Sequence, residues 1–220
     1  MPSERWVATR NSIPRLTATP RSPAACRASS AQAVCEAVEA PRPIHSVEEY
    51  ERVVTSWHEA RASAYERVLL DREGDAGFLV WGDPAFYDST IRVLERVASR
   101  GRVGFEMDVV PGISSVQLLA ARHRLVLHEV GQALHVTTGR RLREAVAQGQ
   151  DNVVVMLNRV IDLEGLEDWR IWWGANLGTA SEELVCGRAG DVLARIEEAR
   201  ERAKRAAGWV MDIYLLRRTS

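Results

Sequence analysis

A short apolar run that stops at Gly82-Asp83-Pro84 constrains the fold of this chain more than any other feature. The run, Phe78–Trp81, is too short for a helix, and we interpret it as a buried strand. Gly-Asp-Pro then predicts a turn, because glycine tolerates unusual backbone angles and proline cannot continue a strand ladder. Helical spacing resumes after Ser89-Thr90. Strand, polar turn and helix is the arrangement from which open α/β sheets build ligand sites, so we predict an α/β fold.

The turn itself is unusually polar. Asp83, Tyr87, Asp88, Ser89 and Thr90 all lie within eight positions, which is more polar content than a connecting turn requires. An ordinary turn between a strand and a helix remains the alternative.

A second loop of the same kind follows. A predicted strand, Val103–Val110, runs into Pro111-Gly112-Ile113-Ser114-Ser115, and a helix is predicted over Val116–Arg122. The two serines could cap that helix, which needs no function, or face a ligand. Two such loops from neighbouring strands would converge on one crevice.

Composition narrows the class of protein. The formal net charge of −1 argues against a general nucleic-acid-binding protein, because such proteins are strongly basic. Hydrophobic residues make up 46% and charged residues 27% of the chain, values typical of soluble globular proteins. No run approaches the roughly 20 apolar residues that a membrane span needs. The three cysteines form no CxxC pair, which indicates a reducing, cytoplasmic location and no structural zinc.

Residues 1–35 differ from the rest of the chain. They hold four of the eight prolines and no glycine, and neither a strand nor a helix period emerges, so we expect a disordered or loosely attached segment. Ordered patterns begin at Ser46-Val47-Glu48-Glu49, a capping box that predicts a helix running to Val68. We therefore divide the remainder into an N-terminal α/β lobe, residues 36–125, and a C-terminal α/β lobe, residues 130–220.

The C-terminal lobe shows strand and helix patterns in alternation. A strand at 133–138 ends at Gly139 and is followed by Arg140 and Arg141. Arginines at a strand end can clamp carboxylates, although a merely solvated pair is the alternative. The further predicted elements are a helix at 142–147, strands at 152–157, 169–173 and 183–186, a helix at 191–206 and a strand at 209–216.

Several common kinds of site have no signal in this sequence. It contains no GxSxG, P-loop, GxGxxG or HExxH pattern, which argues against nucleophilic hydrolases, nucleotide-triphosphate or dinucleotide sites and a zinc protease. Glycine turns, hydroxyls, a few carboxylates and an arginine pair remain. That set suits an adenosine-type ligand held mainly by backbone groups, with an anionic co-substrate alongside.

Taken together, these motifs resemble those of the tetrapyrrole (corrin/porphyrin) methylases. Residues 79–90 are similar to the Gly-Asp-Pro motif of that family, and residues 110–115 are similar to its second signature. The resemblance covers about residues 36–220 and is strongest to the branch that methylates precorrin-5. The segments that resemble this branch are Tyr87-Asp88-Ser89-Thr90, 135–141, 173–179 and 208–218.

The resemblance implies a two-lobed fold that binds S-adenosylmethionine (SAM) in a cleft between the lobes, with no metal. Carried over by position, one wall of the cofactor site would consist of Gly82, Asp83, Pro84, Tyr87, Ser89 and Thr90. The second wall would consist of Ser114 and Ser115, with Leu157 and Gly178 contributing from the C-terminal lobe.

The resemblance also implies the reaction, which is methylation of a ring carbon of precorrin-5 followed by release of an acetyl group as acetate. Methyl transfer from a sulfonium mainly requires alignment and no general base. Deacetylation requires attack by water, which a carboxylate could assist, and Asp83 and Asp88 are the candidates by position. Arg140 and Arg141 are the candidates for binding the acidic arms of the tetrapyrrole.

One feature of the family is not found in the sequence. Family members open with an apolar strand and a glycine-rich loop leading to Leu-Thr, whereas this chain has no glycine before Gly74 and no strand pattern before residue 30. We therefore expect an incomplete N-terminal lobe. A non-catalytic remnant that binds SAM, S-adenosylhomocysteine or a tetrapyrrole without turnover is the alternative function. The oligomeric state is left open, with a homodimer among the alternatives.

Overall fold

The computed structural model of the chain describes residues 15–17, 47–72 and 74–219. The chain divides into two compact units, and the boundary falls between Ile113 and Ser114. Residues 114–125, which we assigned to the first lobe from the sequence, therefore fall in unit 2. Each unit has its own β-sheet and its own helices, so the α/β class predicted from the sequence is confirmed.

The sheet of unit 1 has three short antiparallel strands in the order β2-β1-β3. Leu16 at the centre of β1 lies opposite Ala76 on one side and Met107 on the other. The prediction that nothing strand-like precedes residue 30 is therefore wrong for these three residues, which are too few to show a period. The other residues of 1–35, and Ser46 of the predicted capping box, lie outside the described residues. The strands are β1 (Arg15–Thr17), β2 (Asp75–Gly77) and β3 (Glu106–Asp108).

The apolar run after Gly77 is not the buried strand that the sequence predicted. β2 ends at Gly77, which pairs with Arg15, and no described residue continues the ladder beyond that pair. In the following segment Leu79 is 63% exposed and Trp81 is 55% exposed. Apolarity alone favoured a buried strand here, whereas the short partner strand limits the length of the ladder.

The described part of unit 1 also contains two helices, α1 (Val47–Asp71) and α2 (Thr90–Ser99). They pack through a small apolar core, and Phe78 and Met107 lie partly buried against it. A buried carboxylate, Glu66 on α1, accepts a hydrogen bond from Arg100 just after α2 at 3.1 Å. The core consists of Ala62, Tyr65, Leu69, Val93, Leu94 and Val97.

The sheet of unit 2 has five strands in the order β4-β5-β8-β6-β7. β4 and β5 are parallel, and β8 is antiparallel to both β5 and β6. It follows that the carboxyl ends of β4, β5 and β6 lie at one edge of the sheet, together with the start of β8. We call this the carboxyl edge. The strands are β4 (His135–Thr138), β5 (Asn152–Met156), β6 (Arg170–Ala175), β7 (Glu183–Arg188) and β8 (Asp212–Arg217).

Helices cover both faces of this sheet, which explains why β5 is apolar from Val153 to Met156. Val154 and Met156 pack in one buried cluster with residues of α3, while Val153 and Val155 pack in another with residues of α4 and α5. Successive residues of a strand point to opposite faces, so β5 contributes to both cores. The helices are α3 (Ser115–His123), α4 (Leu142–Ala147) and α5 (Ala189–Ala207), and α4 has the predicted bounds.

None of the helices within the described ranges is long and apolar enough to cross a membrane.

Candidate functional site

Asp83 joins the two predicted loops of unit 1 to each other. Its Oδ1 accepts a hydrogen bond from the backbone amide of Ala85 at 2.8 Å, and its Oδ2 accepts one from the amide of Gly112 at 2.8 Å. The Gly-Asp-Pro loop is therefore in contact with Gly112 of the Pro111–Ile113 segment within unit 1, and a crevice at which the two loops converge stays a prediction. Both carboxylate oxygens accept hydrogen bonds from backbone amides, so Asp83 anchors the backbone of these loops. A catalytic role for it stays a prediction.

The loop after Asp83 contains two left-handed backbone conformations. Gly82 has a φ of 80°, which glycine adopts without steric cost, and Tyr87 has a φ of 54°, which is uncommon for a residue with a side chain. Pro84 is buried, whereas the Tyr87 side chain is exposed. Residues held in such conformations cluster at binding sites, so the loop is a candidate ligand-binding element.

The hydroxyls and carboxylate at the start of α2 are largely engaged. Asp88 Oδ1 accepts a hydrogen bond from the amide of Thr90 at 2.6 Å, and it thereby satisfies one of the amides that a helix start leaves unpaired. Ser89 Oγ accepts a hydrogen bond from Arg61 Nη1 at 2.7 Å. The Arg61 guanidinium also lies over the ring of Trp57, 4.7 Å from its centroid. Sequence reasoning missed Arg61, because nothing in the helical pattern of α1 links it to a residue 28 positions away.

Ser114 caps the helix that follows it. Its hydroxyl accepts a hydrogen bond from the amide of Gln117, and the Gln117 side chain accepts one from the amide of Ser114, so both parts of a capping box are present. Ser114 is buried, and the capping alternative considered for it is confirmed. Ser115 is half-buried, and its hydroxyl makes no hydrogen bond to another described residue.

Leu157 and Gly178 both lie at the carboxyl edge of the unit 2 sheet. Leu157 follows β5 directly. Its φ is 55°, and the residue is 58% exposed. Gly178 follows β6 with a φ of 80°, and a Cβ there would lie 3.3 Å from Leu118 Cδ2. The two turns therefore present backbone groups, one with an apolar side chain and one with none.

Residues next to Ser115, Leu157 and Gly178 in the sequence pack in one buried cluster of unit 2. Val116, Met156 and Leu177 belong to a single buried cluster, and each is the chain neighbour of one predicted cofactor contact. Ser115, Leu157 and Gly178 thus each adjoin this cluster in the sequence, and their grouping around one ligand stays a prediction.

The turn that carries Gly178 is held by charged and polar side chains. The Gly178 amide donates to Glu182 Oε2 at 2.6 Å, and the same carboxylate accepts from Arg122 Nε of α3 at 2.8 Å. Asn176, which also has a positive φ, bonds to Met211 in both directions at 2.8 and 2.9 Å. The links from Arg122 to Glu182 and from Asn176 to Met211 were not predicted from the sequence, since they join residues 60 and 35 positions apart.

Arg140 and Arg141 lie in a 3-10 turn at the same edge, directly after β4. Both are exposed. Arg141 donates to Glu144 through Nε at 3.0 Å and Nη2 at 3.2 Å. These hydrogen bonds raise the pKa of Arg141 and lower the pKa of Glu144. A substrate carboxylate at Arg141 would therefore have to share the guanidinium with Glu144.

Comparisons with known proteins identify relatives of this chain. A profile of the family described as Tetrapyrrole (Corrin/Porphyrin) Methylases matches residues 18–193. A precorrin-6A synthase [deacetylating] from Sinorhizobium sp is 48% identical over 174 residues, which are 77% of this chain and 67% of that protein.

Solved structures give the same family of folds. A cobalamin-synthesis-related protein (CobF) from Corynebacterium diphtheriae is 38% identical, with a TM-score of 0.69 over 77% of this chain and 74% of that chain. The methyltransferase CobJ has a TM-score of 0.54 over 73% of this chain and 71% of that chain at 16% identity, and this likeness concerns the fold alone.

Proposed function

The chain belongs to the tetrapyrrole (corrin/porphyrin) methylases, which are SAM-dependent methyltransferases, and on this premise we propose that it methylates a ring carbon of precorrin-5 and releases acetate, giving precorrin-6A. The observation that carries this proposal is the extensive identity with the precorrin-6A synthase from Sinorhizobium. The local geometry of both units supports it, because Gly82, Tyr87, Leu157 and Gly178 lie in turns with left-handed backbone.

The residues proposed to hold SAM are the sets that the sequence predicted. The structure of the turns supports this assignment. The backbone is left-handed at Gly82, Tyr87, Leu157 and Gly178, so their amides and carbonyls point away from the regular hydrogen-bond ladders of the sheets. Ser115 adds a hydroxyl with no hydrogen bond to a described residue. In unit 1 the set is Gly82, Asp83, Pro84, Tyr87, Ser89 and Thr90, and in unit 2 it is Ser114, Ser115, Leu157 and Gly178.

The task of these residues in methylation is orientation. Bound SAM supplies a methyl group on a sulfonium, which is a good leaving group. The side chains and turns of the chain have to hold the ring carbon in line with that methyl group, and such alignment can lower a barrier by several kcal/mol (roughly 7–11 at best). No proton acceptor is required of the protein for this step.

Deacetylation makes a different demand on the protein. Water adds to the acetyl carbonyl, the bond from the acetyl carbon to the macrocycle breaks, acetate leaves, and the macrocycle carbon retains the electron pair until it is protonated. A carboxylate that removes a proton from the attacking water would assist. We propose Asp88 for this task ahead of Asp83, since Asp88 accepts a single amide hydrogen bond whereas both oxygens of Asp83 serve the backbone.

Arg140 and Arg141 are proposed to bind the carboxylate arms of the tetrapyrrole. They follow the strand next to β5 at the carboxyl edge, and both are exposed. Arginine presents a planar fork of donors that matches a carboxylate. In this proposal Glu144 orients the Arg141 fork until substrate arrives.

Calorimetric titration with SAM, followed by an assay of methyl transfer to precorrin-5 and of acetate release, tests the proposal. Binding with both products formed would support it. Binding without either product would favour the non-catalytic alternative, and an absence of binding would refute the assigned cofactor contacts.

The Asp88→Asn variant tests the role of that carboxylate. Asparagine keeps the oxygen that accepts from Thr90, so the start of α2 should be retained. If Asp88 is the base, acetate release should fall by about 10²- to 10⁴-fold while SAM binding and the methylation step persist. Unchanged acetate release would exclude Asp88.

A further inference from the structure

A carboxylate is buried in unit 2 at the carboxyl edge, where it pairs with a partly exposed arginine. Asp212, at the start of β8, has only 1% of its side chain exposed. Its Oδ2 accepts hydrogen bonds from Arg200 Nε on α5 at 2.9 Å and from the indole of Trp173 on β6 at 3.3 Å. Burying a carboxylate this deeply costs free energy unless the carboxylate is paired. Even when it is paired, it is often no more stabilising than an apolar residue in the same place. Its presence therefore suggests a role besides stability.

The same pair holds the backbone of the turn after β5. Arg200 Nη2 donates to the carbonyl oxygen of Asn158 at 3.0 Å. The Asn158 side-chain amide in turn donates to the backbone carbonyl of Asp212 at 3.3 Å. One guanidinium thus reaches both the buried carboxylate and the residue that follows Leu157.

Leu157 needs such an anchor. Its φ of 55° places it in the left-handed region, where a residue with a Cβ is sterically disfavoured. Because its side chain is largely exposed, packing contributes little to holding this conformation. The hydrogen bonds on Asn158 are what fixes the neighbouring peptide.

Asn158 also contacts the next loop of the carboxyl edge. A Cβ on Gly139 would lie 2.7 Å from Asn158 Oδ1, so only glycine fits there unless Asn158 moves. Asn158 Oδ1 is buried and has no hydrogen-bond partner within the described residues. The side-chain amide of Asn158 therefore lies between the start of β8 and Gly139, the residue that precedes Arg140 and Arg141.

We propose that Arg200 is a positioning residue for the cofactor. Through Asp212 and Asn158 it holds Leu157 in the left-handed conformation in which this residue contacts SAM. The inference rests on the proposed function for its cofactor, but the anchoring itself is a property of unit 2 alone. Because Nε and Nη2 serve two different acceptors, the planar fork of arginine is required, and the single ammonium of lysine is not equivalent.

The test compares Arg200→Met and Arg200→Lys with Arg202→Met as the matched control. Arg202 lies on the same helix but pairs with Glu183 at the surface, at 3.1 and 3.0 Å. We expect both Arg200 variants to raise the Kd and the KM for SAM by about tenfold or more, equivalent to about 1.4 kcal/mol. The kcat and the KM for the tetrapyrrole should change little, and Arg202→Met should match the unaltered protein.

Amide hydrogen exchange in the protein without SAM gives a readout independent of the cofactor. In Arg200→Lys the peptide containing Leu157 and Asn158 should exchange faster, while the interior of β5 stays protected. If Arg200→Met does not fold, the double variant Arg200→Met/Asp212→Asn removes the buried charge with its partner, and the same loss of SAM affinity is expected.

Unchanged SAM affinity in the Arg200 variants would overturn the inference. Full SAM affinity and full exchange protection in Arg200→Lys would also overturn it. A loss of kcat with no change in the KM for SAM would also contradict it, since that result indicates fewer folded molecules. If the unaltered protein binds no SAM, the proposed function fails, whereas the exchange experiment still decides whether Arg200 anchors the turn.

Discussion

The Gly82–Thr90 loop of unit 1 and the turn at Leu157–Asn158 of unit 2 are held in different ways. In the first, two carboxylates accept hydrogen bonds from amides two positions further on, Asp83 from Ala85 and Asp88 from Thr90, in addition to the longer-range bonds from Gly112 and Arg61. In the second, the anchors are the Arg200 side chain and the backbone carbonyl of Asp212, which lie 42 and 54 positions from Asn158 in the sequence.

The carboxylates of the two segments also differ in burial. Asp83 and Asp88 are partly solvent-accessible, whereas the Asp212 side chain is almost fully buried. A change in a pair that contains a buried charge leaves the remaining group with little access to water, while water can replace a lost hydrogen bond at an accessible carboxylate. The comparison therefore predicts a large effect on unfolding for the anchors of unit 2 and a smaller one for those of unit 1.

Asp212→Ala should have the largest effect. It removes the acceptor of Arg200 and of Trp173, so the free energy of unfolding should fall by about 3–5 kcal/mol in chemical denaturation. The exposed Asp191, which pairs with Arg188 at 3.0 Å, is the matched control, and Asp191→Ala should cost less than about 1 kcal/mol. Similar losses in the two variants would break the comparison.

Asp83→Asn should come next. Asparagine has one carbonyl oxygen, so it can accept from Ala85 or from Gly112 but not from both through separate oxygens. We expect a loss of about 1.5–3 kcal/mol of unfolding free energy and weaker SAM binding, measured by denaturation and calorimetry. Asp88→Asn keeps its single accepted bond and should lose clearly less stability. Equal losses would show that the link to Gly112 contributes little.

Gly178→Ala should give a smaller loss of stability and a distinct loss of binding. At a φ of 80° a Cβ is expected to cost about 1–2 kcal/mol, and here it would also press on Leu118. Gly208→Ala is the control, because Gly208 has a φ of 78° and nothing within 4 Å of a Cβ. Both variants should be destabilised, but only Gly178→Ala should weaken SAM binding. An equal change in affinity would remove Gly178 from the proposed contacts.

The smallest effect should be the pH response of His58 in unit 1. Burial, followed by the nearby Arg96, Arg92 and Arg61, lowers the pKa of His58 below its usual 6.5. The unfolded state therefore binds a proton more readily, and the stabilisation is fully present above pH 6.5 and is lost as the pH falls through the folded-state pKa. The melting temperature of His58→Gln should fall less on acidification below pH 6.5 than that of the unaltered protein. Parallel curves would contradict this assignment.

Features that depend on neighbouring residues were accessible from the sequence. The bounds of α4 and the option that Ser114 caps α3 follow from helical spacing and from the hydroxyl before the helix. The family resemblance supplied the predicted contacts at Leu157 and Gly178, which no local pattern indicates.

Features that depend on distant partners were missed or misread. β1 consists of three residues whose role comes entirely from pairing with β2 and β3. The apolar run at Phe78–Trp81 satisfied every local criterion for a buried strand, yet it lacks a described partner strand and is half exposed. The link from Arg61 to Ser89 and the link from Arg200 to Asn158 arise only when helices are packed.

The position of β8 in the sheet of unit 2 has a consequence for folding of the nascent chain. β8 follows every other strand of that sheet in the sequence, yet it lies at the centre, between β5 and β6. Until it is in place, β4-β5 and β6-β7 are separate pairs with open edges. Asp212 begins this strand, so the turn at Leu157 acquires its anchor only after the last strand has left the ribosome. The cofactor-binding edge of unit 2 should therefore be the last part of that unit to form.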